Sequence, residues 1–341
     1  MSSSDRQERV LVTGGAGYVG SAVVEALLTA GCQVTVFDNL TTGYRAALDG
    51  LAVDLIEGDL ADRAAIEAAL RDVKADAVVH TAGSIEAGES MTDPGKYYRN
   101  NVVNSLNLLD AMVARGVGRL VFSSSAGVYG VPRRTPIDED DPTAPVNCYG
   151  ETKLAVERAA AWYRVAHGLQ AIFLRYFNAA GASASRGEAH RPESHLIPLV
   201  LQVALGKRDA ISIYGTDYPT PDGSCVRDYV HVADLGQAHV LALAATTDLG
   251  RTPEAPRHRA YNLGNGAGFS VRKVVETARR VTGHPIPAAE VARRPGDPPF
   301  LVASSARAAR ELGWLPRYAD LDSIVATAWD WHRTHPNGYD R

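Results

Sequence analysis

The chain has 341 residues, 45% of them hydrophobic, and its 35 basic and 39 acidic residues leave a formal net charge of -4. That length and apolar fraction fill one large or two ordinary domains, and the mixed charge excludes the basic face of a nucleic-acid-binding protein. No run approaches the roughly 18 apolar residues of a membrane span, and Met1-Ser2-Ser3-Ser4-Asp5 lacks the basic start and apolar middle of a signal peptide, so a cytoplasmic protein with no membrane contact is expected.

Short β-branched runs alternate with helix-length patterns through the first half. Strands are predicted at Val10–Thr13, Gln33–Asp38, Asp54–Glu57, Ala77–His80, Gly118–Ser123 and Gln170–Arg175, with helices at Val19–Ala30, Arg63–Lys74, Tyr98–Arg115 and Gly150–His167. Such alternation predicts an α/β fold, a Rossmann-type doubly wound parallel sheet covered on both faces. Beyond Arg175 come loops rich in Gly, Pro, Ser and His over Asn178–Pro198, a helix near Leu199–Gly206 and a Pro/Gly segment at Gly215–Ser224. A closing helix near Leu321–His335 carries Trp329 and Trp331, read as packing residues. The expected division is residues 1–175 and a smaller mixed α/β domain over 176–341, with segments near 228–245 and 260–263 returning to the first.

Cys32, Cys148 and Cys225 form no C-x-x-C pair and read as buried free thiols. The ten histidines show no metal spacing: His190 and His195 lie five apart in a Pro-containing segment and cannot share a helix face, so no metal is expected.

Between the first strand and first helix stands Gly14-Gly15-Ala16-Gly17-Tyr18-Val19-Gly20. In Gly14-x-x-Gly17-x-x-Gly20 the first glycine permits a tight turn, the second admits a pyrophosphate, and the third seats the helix on the sheet. Asp38, closing the second strand about 20 residues on, suits the ribose hydroxyls of a dinucleotide and would repel a 2′-phosphate, which favours NAD over NADP. Asp59, after the third strand, reads either as an acceptor for adenine or as a helix cap before Ala61–Leu70.

Ser123-Ser124-Ser125 ends a strand at the sheet edge where such folds bind ligands. Tyr149 and Lys153, four apart at the start of a helix, share one face. A free phenol titrates near 10, about three units above neutrality, a gap of about 4 kcal/mol. An adjacent ammonium and the positive nicotinamide ring of a bound dinucleotide both favour the phenolate, so Tyr149 reads as the base, with Lys153 and Ser125 assisting.

Gly14–Gly20, Asp38, Ser123–Ser125, Tyr149 and Lys153 resemble the extended short-chain dehydrogenase/reductase family. "GESMTDPGKYYRNNV" (Gly88–Val102), "LRYFNAAGA" (Leu174–Ala182), the run from His195 to Leu235 containing Val226-Arg227-Asp228-Tyr229, and "YNLGNG" (Tyr261–Gly266) narrow the resemblance to its UDP-hexose 4-epimerases, over nearly the whole chain. The resemblance implies a tightly held NAD that is never consumed. Tyr149 deprotonates the sugar 4-hydroxyl as hydride leaves C4, the 4-keto sugar turns about its link to the nucleotide, and hydride returns to the opposite face, interconverting UDP-glucose and UDP-galactose. The first domain would then bind NAD and the second the UDP-sugar.

By family position, the cofactor falls to Gly14, Gly17, Tyr18, Val19, Gly20, Asp38, Asn39, Asp59, Leu60, Thr81, Ala82, Gly83, Asn100, Ser123, Tyr149, Lys153 and Tyr176. The substrate falls to Ser125, Tyr149, Phe177, Asn178, His195, Leu196, Tyr214, Arg227, Arg294 and Asp297. Forked guanidinium groups suit a pyrophosphate. A homodimer through the helices Tyr98–Arg115 and Gly150–His167 is also implied.

The chain departs from that family's pattern in places. Thr81 stands where an aromatic is common, Ile85 where some members carry lysine, and Gly127 where threonine helps the serine hold the sugar. Leu301 is intermediate between the tyrosine that narrows the C2 pocket and the cysteine that widens it. Arg186 and Arg191 read as solvated; either one turned inward would pair a C6 carboxylate and favour UDP-glucuronate, a hexuronate substrate, as the alternative. A dehydrogenase, a dehydratase, which would carry an Asp-Glu pair where Ala126-Gly127 stands, and a catalytically dead regulator are the further readings.

Overall fold

The computed structural model describes residues 7–249, 259–294 and 297–339, so the signal-peptide reading at Met1–Asp5 lies outside the described residues. The first half of the chain runs β1 (Arg9–Thr13), α1 (Tyr18–Thr29), β2 (Gln33–Asp38), β3 (Asp54–Glu57), α2 (Arg63–Val73), β4 (Ala77–His80), α3 (Ala87–Thr92) and α4 (Pro94–Tyr97). A π-helical segment, Tyr98–Val103, leads into α5 (Asn104–Arg115), followed by β5 (Arg119–Ser125), α6 (Cys148–His167) and β6 (Gln170–Tyr176). Then come β7 (Asn178–Ala180), α7 (Leu196–Ala204), β8 (Ile211–Tyr214), β9 (Val226–Arg227), β10 (Tyr229–His231), α8 (Val232–Thr246) and β11 (Arg259–Leu263). The chain continues through β12 (Phe269–Ser270), α9 (Val271–Thr282), β13 (Ala288–Val291), β14 (Phe300–Leu301), α10 (Ala306–Leu312) and α11 (Leu321–Thr334).

A seven-stranded sheet has the order β11-β6-β5-β4-β1-β2-β3. β1 pairs in parallel with both β2 and β4, β2 with β3, and β4 with β5. Successive side chains of a strand face opposite ways. Leu11 of β1 joins Phe37, Val78 and Phe122 in a cluster with Ile66 and Leu70 of α2, Leu108 and Met112 of α5, and Val156 of α6. Val10 and Val12, equally buried, face the other side. The doubly wound α/β reading therefore holds, and the strand order reverses between β1 and β4, which fixes where ligands enter such a sheet.

Two compact units emerge. The first comprises the described residues of Met1–Gly130, Thr143–Arg175 and Gly236–Tyr261, and the second those of Val131–Pro142, Tyr176–Leu235 and Asn262–Arg341. In the second, α7, α9 and α11 share an apolar cluster built on Ile197, Val200, Leu201, Val274, Ile324 and Val325. Trp329 packs against it, and Trp331 is buried, stacked on His335 at 5.0 Å. The helix predicted near Leu199 starts earlier, at Leu196. Pro198 falls in its first turn, where no amide hydrogen is needed.

The helix pattern at Tyr98–Arg115 contains the π-helical turn, which periodicity does not distinguish from α. Behind β5, Ser124 Oγ donates to Glu157 at 2.5 Å, and Arg175 donates to both Glu157 oxygens at 2.9 and 2.5 Å and to the Tyr129 hydroxyl at 2.9 Å. Arg175 and Glu157 are both buried. Removing one partner strands the other charge, so Arg175→Met is expected to lose about 3–5 kcal/mol of stability in urea unfolding. The Glu157→Leu/Arg175→Met double variant should lose less than Arg175→Met alone, which a double-mutant cycle reads directly.

Candidate active site

The site in the first unit begins at the turn after β1. Gly14 has φ +76°, and a Cβ there would lie 2.5 Å from the Ala82 backbone nitrogen in the loop after β4. A Cβ at Gly20 would lie 2.0 Å from the Gly14 carbonyl oxygen, so α1 rests directly on the turn. Gly17 differs: its Cβ position meets that same carbonyl at 3.3 Å and is otherwise open. Gly17 is also the N-cap of α1 and brings no side chain to the cap, so Tyr18, Val19 and Gly20 present first-turn amides toward an approaching anion.

Asp38, at the end of β2, is held by backbone on both oxygens. Oδ2 accepts from the Ala16 amide at 3.0 Å and Oδ1 from the Leu40 amide at 2.9 Å, with Leu40 at φ +55° turning its N–H back. Burial pushes the Asp38 carboxyl up, and the two amides offset part of that. Each oxygen retains acceptor capacity, suited to two vicinal ribose hydroxyls. The open cradle at Gly17 and the free lone pairs of Asp38 fit a dinucleotide.

Asp59 is not the cap of α2. Asp62 is, accepting from the Ala65 amide at 3.1 Å, because it directly precedes the first helical residue. Asp59 instead accepts from the Ala61 amide at 2.8 Å and from the Asn39 side chain at 2.9 Å, while Leu60 is buried in the core.

The reactive groups gather where β5 meets α6. Asn147 caps α6, accepting from the Gly150 amide at 2.8 Å, which sets Tyr149 and Lys153 in its first two turns. Ser125 Oγ accepts from the Gly127 amide at 3.1 Å and lies beside the Tyr149 phenol, whose pKa it acts to lower. Lys153 Nζ donates to the Ser123 carbonyl at 2.9 Å and lies 4.9 Å over the Phe122 ring. A Cβ at Gly127 would stand in ordinary contact, 3.4 Å from Ser125 Oγ and 3.7 Å from the Tyr149 ring, so glycine leaves room there without a backbone demand for it.

Burial raises the Tyr149 phenol above its ordinary value; Ser125 opposes this and the Glu86 charge adds to it. Lys153, expected to favour the phenolate together with a positively charged nicotinamide ring, does not by itself offset that burial. Its nitrogen is 5.9 Å from the Tyr149 ring centre and is itself brought down to about 8 by burial.

Asn101, which sequence reasoning passed over, lies beside these groups. Its Oδ1 accepts from the Ser84 amide at 2.7 Å, and its Nδ2 donates to the Ser84 carbonyl at 3.0 Å and to Thr152 Oγ1 at 3.1 Å. Thr152 in turn donates to the Tyr149 carbonyl at 2.7 Å. Asn101 Oδ1 and Lys153 Nζ both converge on Gly83, within 3.4 Å of its Cβ position. The neighbouring Asn100 donates to Ser84 Oγ at 3.0 Å. The doubled asparagine was the available signal; which of the two turns inward depends on the π-helical turn that carries both.

The second unit by itself holds a cavity of about 230 Å³, lined by Asn178, His195, Leu196, Tyr214, Arg227, Arg294 and Asp297 among others. Arg227 pairs with Asp297 at 3.3 Å and donates to the Val226 and Pro298 carbonyls at 2.9 Å. Arg294 lies 3.9 Å over the Tyr214 ring. Phe177 is buried outside that lining, and Tyr176 ends β6 half-buried. Arg186, expected in solvent, is buried, with Ser185 accepting from it at 2.6 Å; Arg191 is exposed and donates to the Asn337 carbonyl.

A parallel sheet with a glycine cradle at its switch point, a ribose-type carboxylate and a Ser/Tyr/Lys group defines a dinucleotide-dependent enzyme of the short-chain dehydrogenase/reductase kind. The profile of the NAD dependent epimerase/dehydratase family matches residues 10–264, and the chain belongs to that family. It is 50% identical over 332 residues to the UDP-glucose 4-epimerase of Halalkalibacterium halodurans, covering 97% of each chain. Among solved structures it is similar to UDP-glucose 4-epimerase from Brucella ovis in complex with NAD (44% identity, TM-score 0.90, 98% and 100% of the two chains). It is also similar to UDP-glucose 4-epimerase from Bifidobacterium longum in complex with NAD+ and UDP (38% identity, TM-score 0.90, 97% and 100%).

Lys153 gives a pH test of the site. Its folded pKa of about 8 lies below the ordinary 10.5, so between those values the unfolded chain binds the extra proton and stability rises with pH. Below pH 8 the cost of the buried ammonium is fully present. From pH 7 to pH 9.5 the wild type should gain about 2 kcal/mol relative to Lys153→Met in urea unfolding; parallel profiles for the two proteins would place the amine in solvent.

Proposed function

We propose that the chain is an NAD-dependent isomerase that inverts C4 of UDP-glucose and UDP-galactose. The observation that carries this reading is Tyr149 beside Ser125, with Lys153 fixed on the Ser123 carbonyl, in a chain half identical to a UDP-glucose 4-epimerase over 97% of its length. When bound, NAD supplies a hydride acceptor at C4 that becomes the donor in the return step. The Gly14–Gly20 turn and the first amides of α1 hold its pyrophosphate, Asp38 its adenosine ribose, and Lys153 with Asn100 its other ribose.

Tyr149 takes the proton of the sugar 4-hydroxyl and later returns it to the same oxygen, with Ser125 hydrogen-bonding that oxygen throughout. The Lys153 ammonium offsets the phenolate charge in a medium where few waters compete. In the second unit, Arg227 and Arg294 are the pyrophosphate ligands, and Asn178, His195, Leu196, Tyr214 and Asp297 complete a UDP site. Neither Arg186 nor Arg191, the partners that the hexuronate alternative calls for, lines that cavity.

The proposed assembly is a homodimer. Tyr98, Val103 and Val113, on the π-helical segment and α5, are exposed, as are Trp162, 69% exposed, and Val165 on α6; α5 and α6 lie side by side, with the Tyr163 hydroxyl donating to Asp110. Apolar side chains gathered on one surface mark an interaction site. Among the described residues no helix is long and apolar enough to cross a membrane, and three free cysteines suit the reducing cytoplasm.

Incubation with UDP-galactose is expected to yield a mixture of both C4 epimers, resolved by chromatography, without net NADH absorbance. Accumulating NADH would make the protein a dehydrogenase. Tyr149→Phe should lower kcat by about 10²–10⁴-fold with KM little changed. Trp162→Glu should shift the protein from dimer to monomer in sedimentation velocity; an unchanged sedimentation coefficient would remove this face from the interface.

A further inference from the structure

The loop joining β7 to α7 carries a cluster of which the proposed reaction uses only His195. Glu188, His190, Glu193 and His195 each bring a possible ligand atom to one place, all within 4.8 Å of one another. His195 Nδ1 lies 2.8 Å from Glu188 Oε1 and 3.0 Å from Glu193 Oε1, and His190 Nδ1 lies 3.0 Å from the same Glu188 oxygen. The Glu188 and Glu193 side chains are only 4% and 6% exposed. The five-residue spacing argued against a shared helix face, and there is none: the loop folds back and joins the two imidazoles by another route.

The geometry favours a cation shared by all four groups. Two carboxylates converge on the single Nδ1 atom of His195. Like charges brought together out of water repel unless a positive charge lies between them. Two carboxylates and two neutral imidazoles balance one dication with no charge left over. Glu193 is set in place beforehand, because its Oε1 also accepts from the Ser194 and His195 amides at 2.8 Å. A tetrahedral zinc ion with bonds of about 2.0–2.2 Å places its ligand atoms roughly 3.4 Å apart, so the edges of 2.8 and 3.0 Å must widen and the longest separation, up to 4.8 Å, must close to reach that spacing.

We propose that Glu188, His190, Glu193 and His195 form a binding site for one divalent transition-metal ion of the zinc class. Two imidazole nitrogens select such an ion over magnesium or calcium, which prefer all-oxygen shells. Four protein ligands make a closed, structural centre. It clamps the loop to the start of α7, where His195 and Leu196 form part of the cavity wall. Protons are the competing occupants: burial opposes a charge on His195, but Glu188 and Glu193 together raise its affinity for a proton. The proposal is independent of which sugar the enzyme turns over.

The test uses the full-length protein, stripped with a chelator, dialysed, and titrated with Co²⁺. The expected result is one Co²⁺ per chain with the intense visible bands of a four-coordinate site, displaced by one equivalent of Zn²⁺. In His190→Asn, whose fold is checked by circular dichroism, affinity should fall at least tenfold; Glu188→Gln is the second variant, for the case that His190→Asn does not fold. Less than about 0.1 Co²⁺ per chain, the weak spectrum of a six-coordinate aquo ion, or undiminished uptake by a folded variant would each overturn the assignment.

Discussion

The loops after β1 and β4 touch backbone to backbone at Gly14 and Ala82, and the architecture of the first unit turns on that contact. The Thr13 carbonyl accepts from the Thr81 amide at 2.9 Å, the Ala82 amide at 3.0 Å and the Thr81 hydroxyl at 2.8 Å. With the two loops stitched together no side chain fits at Gly14; none fits at Gly20 because the Gly14 carbonyl fills that place, so α1 sits on the turn with its first amides facing outward. The polar Thr81 thus has a structural partner in this chain.

A second layer of buried polar contacts holds the reactive groups from behind. Burial and the Lys153 charge bring His80 down to about 3, so its ring is neutral. Ser105 Oγ donates to the Asn101 carbonyl at 2.5 Å, so His80 Nε2 donates to Ser105 at 2.8 Å and its Nδ1 accepts from Thr13 at 2.7 Å. Together with Asn101–Thr152–Tyr149 and Ser124–Glu157–Arg175, this chain fixes the first turns of α6 against β5. The arrangement is expensive: an ammonium, a guanidinium and a carboxylate are taken out of water, and each is retained only because a carbonyl or an opposite charge meets it.

The second unit solves a different problem. Its three helices bury an ordinary apolar cluster, and the loops around them carry the chemistry. Gly187 lies so close to the Trp331 indole that a Cβ would stand 2.2 Å from it, which pins the 183–195 loop over α11. That loop then delivers His195 to the cavity on one side and to the Glu188–His190–Glu193 group on the other, so one short segment links the proposed nucleotide site to the proposed metal site.

The sheet, the glycine turn, Asp38 and the Tyr149/Lys153 face were all legible from sequence, because each follows from spacing within about one element: a period of two or 3.6, or a glycine next to a strand. The cap reading of Asp59 took the helix from Ala61, whereas α2 starts at Arg63, directly after Asp62. Burial of Arg186, the inward turn of Asn101, the elevated phenol at Tyr149 and the meeting of His190 with His195 were decided only by the tertiary structure. Each depends on what surrounds a side chain after folding, and those surroundings are brought together by loop reversal or from strands far apart in the chain, as Thr13 and His80 are. Local pattern records how a segment is built; the dielectric and the neighbours that set its chemistry belong to the assembled fold.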